Sequence, residues 1–178
     1  MGSVNWTLLV YRVPIEPSRH RVAVWRHLRR VGAISLQGSI AGLPTTEENL
    51  AALRRAAAIV EAAGGEFFLL AAEAVDEGSR QRLEALYTES IEAEYGEFVA
   101  ECAKFRAEIR REIRIRKFTE AELAEEEESF ERLERWATAL AGKDVFGAPS
   151  RPGAERALKE CGAALDRYAA KVYAANAG

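Results

Sequence analysis

Five arginines fall within one twelve-residue stretch: Arg19, Arg21, Arg26, Arg29 and Arg30. A guanidinium stays charged at any physiological pH and presents forked donors that match phosphate oxygens. Just before them, Pro17 and Ser18 are placed to open a helix. A helix N-terminus offers free N–H groups and a partial positive charge. Ser18, Arg19 and Arg21 therefore form a candidate oxyanion site. The five arginines together form a candidate phosphate-docking surface for DNA. Such contacts supply affinity without reading base sequence, and the chain shows no helix-turn-helix pattern that would read it. The structural alternative is plain: Ser18 as an N-cap and the arginines as solvated surface.

A second set of groups is acidic. Glu94 and Glu97 stand at i, i+3, and so do Glu125 and Glu128. Paired antiparallel, two helices carrying them would converge four carboxylates, as in di-iron carboxylate bundles. Those sites usually add a Glu-x-x-His pair, and neither segment has a histidine, so a charged outer face is the competing reading. Cys102 and Cys161 form no Cys-x-x-Cys motif and no Cys/His cluster. They read as small core residues, kept reduced, and no metal site or cofactor is expected. The two histidines, His20 and His27, both lie in the basic stretch, which argues against a Ser-His-Asp system. There is no Gly-x-Gly-x-x-Gly, phosphate-binding loop or Gly-x-Ser-x-Gly elbow.

The 178 residues are 48% apolar and 30% charged, with a net charge of -3. This composition excludes disordered, collagen-like and Pro-rich classes. No apolar run reaches the roughly 18 residues of a bilayer span, and the N-terminus lacks a signal-peptide pattern. A cytoplasmic protein with no membrane partner is expected. Charge is blocked along the chain. Arg12–Arg30 carries six Arg against one Glu; Lys104–Lys117 carries seven basic residues against two Glu; Thr119–Glu134 carries eight Glu against one Arg. Such asymmetry points to faces with opposite electrostatic roles, or to solvated helix faces.

The elements that must position these groups follow from periodicity. Trp6 to Val13 reads as a strand with apolar residues on both faces, ending before Pro14. A helix to about Val31 carries Val24, Leu28 and Val31 inward, and Gly32 ends it. Ala33 to Leu43 reads as two short strands around Gln37-Gly38. Thr45 with Glu48 reads as a capping box for a helix carrying Leu50, Leu53, Ala57 and Val60, stopped at Gly64-Gly65. Glu66 to Ala72 reads as a last strand. The expected class is α+β, a ferredoxin-like βαββαβ half over residues 1–76. Residues 77–178 read as a helical hairpin or three-helix extension packed on it. Leu83, Tyr87, Ile91, Tyr95, Phe98, Cys102, Phe105, Ile109 and Ile113 step by three or four along one long helix. Thr119 and Glu122 open the next, which carries Leu123, Phe130, Leu133 and Trp136. A final helix carries Leu158, Cys161, Leu165, Tyr168 and Val172. The helices or a second protomer must cover the bare sheet face, so a homodimer is expected.

Several segments carry a family resemblance. Tyr11-Arg12-Val13-Pro14, Glu16-Pro17-Ser18, Arg21-Val22-Ala23-Val24-Trp25-Arg26, Leu28-Arg29-Arg30, Gly32-Ala33 and Leu36-Gln37 resemble the start of the ChrB family of chromate-resistance proteins. Lys117-Phe118-Thr119, Arg132-Leu133-Glu134-Arg135-Trp136 and Asp144-Val145-Phe146-Gly147-Ala148-Pro149 extend the resemblance along that family's N-terminal domain. More distantly, residues 11–43 are similar to the ferredoxin-like small subunit of the CRISPR spacer-integration complex. That subunit usually places an Asp soon after its first-strand Tyr, where this chain has Arg12. The ChrB resemblance implies a chromate-responsive transcriptional regulator, with DNA as partner and chromate or another oxyanion as ligand. A metal-dependent enzyme using the helix-borne carboxylates, or a non-catalytic oxyanion-binding module, are the alternatives.

Overall fold

The structure, a computed structural model, describes residues 5–177. Those residues form a mixed α+β protein with one four-stranded antiparallel sheet and five helices. They fall into two compact units that divide between Ser90 and Ile91.

In the first unit the order is β1 (Trp6–Arg12), α1 (Arg19–Arg30), β2 (Ile34–Gln37), β3 (Ile40–Pro44), α2 (Glu47–Ala62) and β4 (Glu66–Ala72). The sheet order is β2-β3-β1-β4. Leu9 of β1 and Leu43 of β3 are fully buried with Val24 of α1 and Leu53, Ala56 and Val60 of α2. His27 ties α1 to α2 through its Nε2, 3.0 Å from the Ala52 carbonyl oxygen.

The second helix starts one residue later than its sequence implies. Pro44 still pairs with Trp6, and the Thr45 N–H donates to the Asn5 carbonyl at 2.7 Å. Thr45 is therefore held extended, its hydroxyl 2.9 Å from that of Thr7. Thr46 caps instead, its Oγ1 accepting from the Asn49 N–H at 3.1 Å. Gly65 has a different constraint. A Cβ there would lie 2.3 Å from the Arg12 carbonyl oxygen, so only glycine lets the α2–β4 turn close on β1.

The expectation that β1 is buried on both faces holds only in part. Trp6 is buried, its ring edge-on to Tyr87 at 6.0 Å. Further along that face, Leu8 and Val10 are half-buried. Their β4 partners Leu70 and Phe68 are exposed, Phe68 by 66%.

Helix α3 (Glu77–Ile115) runs across both units. In the second unit it is followed by α4 (Glu120–Lys143) and α5 (Arg151–Asn176). Contacts fix α3 and α4 as antiparallel. Phe98 meets Trp136 edge-on at 5.4 Å, Phe105 lies 6.0 Å from Phe130, and Lys143 pairs with Glu94 at 2.8 Å. The α3–α4 connection is tight. The Lys117 N–H returns to the Glu112 carbonyl, and Arg116 takes φ +57. Thr119 caps α4 as expected, accepting from the Glu122 N–H at 3.3 Å.

On α5 the inner face differs from the expected leucine stripe. It buries Ala154, Ala157, Cys161, Ala164, Tyr168 and Val172, and leaves Leu158 and Leu165 half-buried. Small side chains let the helix approach closely: a Cβ on Gly162 would sit 3.2 Å from the Phe130 ring. The Cys161 thiol donates to the Cys102 carbonyl at 3.4 Å, and the Tyr168 hydroxyl donates to the Lys117 carbonyl at 2.6 Å. Both cysteines are free and buried, and the hydrogen-bonding Cys161 thiol, then burial, hold the Cys102 thiol well above its usual range.

Candidate functional site

Helix α1 buries two apolar residues and exposes its arginines. Val24 and Leu28 are buried, while Arg19, Arg21, Arg26, Arg29 and Arg30 are all exposed. At about 100° per residue, Arg19, Arg26 and Arg30 fall on one stripe, spread over roughly 16 Å of helix axis. Arg29 lies to one side, its guanidinium carbon 5.4 Å from the centre of the Trp25 ring. That is cation–π range, and Trp25 is itself 54% exposed. None of the five arginines takes part in an ion pair among the described residues. The helix thus offers exposed positive charge and an exposed ring to solvent.

At the start of α1, Ser18 occupies the N-cap position but makes no side-chain capping bond. Its φ of -56° and ψ of -22° are helical, whereas a capping residue takes extended backbone angles. Ser18, Arg19 and Arg21 are all exposed.

The second basic block behaves differently. Arg110, Arg114 and Arg116 are exposed. Arg106 is engaged with Glu160, Arg111 with Glu108, and Lys117 with Glu122.

The four carboxylates at i, i+3 spacing do not converge. The antiparallel pairing sets Glu94 against Lys143, at the C-terminal end of α4. Glu128 lies fifteen residues earlier on that helix, about 22 Å along its axis. Glu97, Glu125 and Glu128 are exposed. Among the described residues, no group of three or more His, Cys, Asp or Glu side chains is spaced to hold a metal ion.

The family model for the N-terminal part of protein ChrB matches residues 21–178. The chain belongs to the ChrB N-terminal family. That membership ties it to chromate-resistance regulation. No curated protein and no solved structure matches the chain. Arg21, Arg26, Arg29 and Arg30 lie inside the matched span, and Ser18 and Arg19 precede it.

The geometry gives a structural meaning to the ChrB-like segment Asp144–Pro149. The Asp144 carboxylate is buried, accepts from the Ala148 N–H at 2.8 Å, and receives the Tyr95 hydroxyl at 3.3 Å. Burial, with Asp144 beside it, pushes the Tyr95 hydroxyl up to about 12. Gly147 supplies the turn at φ +75. Glu92 accepts from both the N–H and the hydroxyl of Ser150, which holds its carboxyl below the usual range. These contacts hold the α4–α5 loop against α3.

Sequence reasoning missed two buried carboxylates. Glu112 on α3 and Glu126 on α4 are 2% and 7% exposed. Burial first, then the neighbouring Glu108 and Glu125 carboxylates, push Glu126 up to about 7. A signal was present. Glu112 stands three residues after Ile109, and Glu126 three after Leu123 and four before Phe130. Both occupy core-register positions of their helices.

Proposed function

We propose that this protein is a DNA-binding regulator of chromate resistance that docks on the phosphate backbone through α1. What carries the reading is the exposed set Arg19, Arg21, Arg26, Arg29 and Arg30, none of them in an ion pair among the described residues. Solvated guanidiniums without acidic partners keep their full charge for a polyanion. Trp25 adds an exposed ring beside them for contact with sugar or an unstacked base. Arg110, Arg114 and Arg116 contribute further positive potential. Ser18, Arg19 and Arg21 are the groups for chromate or another oxyanion at the helix N-terminus, with the uncapped hydroxyl as donor.

The sheet order β2-β3-β1-β4, antiparallel throughout, supports a ferredoxin-like reading of the first unit. In this proposal the protein acts in the cytoplasm. No helix among the described residues is long and apolar enough to cross a membrane. The protein pairs as a homodimer through the sheet face bearing Phe68 and Leu70, where apolar side chains meet solvent. Phe68→Asp should shift a dimer to monomer in light scattering.

The direct test is a gel shift with duplex DNA at about 50 mM salt, where phosphate contacts are strongest. The native chain should shift the duplex, and Arg29→Glu with Arg30→Glu should not. Equal binding by both would overturn the reading.

A further inference from the structure

The second unit contains a cavity of about 430 Å³ lined by residues of α3, α4 and the turn between them. Six carboxylates and four cationic side chains line it, an excess of two negative charges. Three of the cations are engaged locally: Lys104 with Glu101, Arg111 with Glu108, and Lys117 with Glu122. Glu112 and Glu126 are the two lining carboxylates removed from solvent. Glu112 Oε2 is buried with no hydrogen-bond partner. Its Oε1 has the Arg111 guanidinium only at a long 3.5 Å. A buried carboxylate oxygen without a partner is costly, and natural interiors rarely keep one. A partner arriving from outside the chain resolves that cost.

We propose that this cavity binds a small organic cation of the aliphatic diamine class, with one ammonium group held by Glu112 and Glu126. The sign of the ligand follows from the charge excess and from the unpartnered oxygen. Its class follows from the rest of the lining. No three acidic, histidine or cysteine side chains among the described residues have metal-ligand spacing. An ammonium needs only acceptors for its three N–H donors, without a coordination polyhedron. Phe105 and Leu133 line the same cavity and give apolar surface for a methylene chain. The dicationic charge of a diamine matches the excess of two. Burial raises the Glu126 carboxyl to about 7, and a bound cation favours its ionised form. The proposal is independent of the DNA reading of α1.

The experiment is calorimetric titration of the full chain with putrescine, with magnesium and manganese as parallel arms. Putrescine should bind and raise the unfolding temperature, and Glu112→Gln should weaken it by about tenfold or more. Glu97→Gln, on an exposed part of α3 outside the cavity, should bind as the native chain does. Circular dichroism confirms that each variant is folded. Should Glu112→Gln fail to fold, side-chain carboxylate NMR of the native chain replaces it. The Glu112 and Glu126 signals must then move on titration. Three results would overturn the proposal: no binding at about 10 mM putrescine, metal binding lost in Glu112→Gln with putrescine inert, or carboxylate signals that do not move.

Discussion

Helix α1 and the Glu-rich block of α4 each concentrate like charge, and the fold treats them in opposite ways. The arginines of α1 stand in solvent with no acidic partner among the described residues. The Glu-rich block of α4 sends Glu126 inward, where Glu112 meets it from α3. Charge in water costs the fold little and is free to act at a distance. Charge in the interior costs stability unless something answers it. A run of like charges in a sequence therefore says nothing by itself about its energetic role. The register of each residue against the core stripe decides that.

The contrast breaks most visibly if Glu112 is replaced by a shape-matched apolar residue. Glu112→Met should stabilise the ligand-free protein by about 1–3 kcal/mol in urea unfolding, because it removes a buried oxygen with no partner. Arg29→Glu with Arg30→Glu should instead destabilise the chain by about 1 kcal/mol, because both lie in the last turn of α1, where the helix dipole favours positive charge. A reversed ranking would dissolve the comparison.

The pH dependence sharpens it. The Glu126 carboxyl is raised by burial to about 7, against an ordinary value near 4.5. Between these values the folded chain binds more protons than the unfolded chain, so stability falls as pH rises from about 5 to 8. The contribution is fully present below the unfolded value and lost through the folded one. Thermal unfolding across that range should show the decline, and Glu126→Gln should flatten it.

Smaller effects separate the helix starts and stops. Thr119→Ala should cost about 1 kcal/mol by removing the α4 cap. Ser18→Ala should cost a few tenths at most, because Ser18 makes no capping bond. Arg116→Gly should gain roughly 0.5 kcal/mol, since a left-handed φ is unfavourable for a side chain and free for glycine. Each is read from denaturant midpoints.

Much of the fold was legible because local signals were strong and unopposed. The apolar run of Glu66–Ala72 after Gly64-Gly65 marked β4 to the residue, and the α1 stripe of Val24 and Leu28 left Arg26, Arg29 and Arg30 outside it. The losses came where two readings were locally equal. Thr45 and Thr46 are both caps by type, and only the β3 ladder decides between them. After Ile109 the core stripe passes through Glu112 or Ile113, and residue type favoured the isoleucine that the structure leaves half-buried. On α5 the leucines outweighed the alanines by size, whereas close helix packing selected the small residues. The four spaced glutamates failed as a site because helix register, set by Lys143 on Glu94 and by Phe105 on Phe130, is not visible in one helix alone.

The central claim is that α1 binds DNA through phosphate contacts. It is tested most directly by fluorescence anisotropy with duplex DNA across a salt series, for the native chain and for Arg29→Glu with Arg30→Glu. The account predicts binding that weakens steeply with salt, with a logarithmic slope shallower in the variant by about two, one per lost phosphate contact. A native affinity indifferent to salt, or a slope unchanged in the variant, would contradict it.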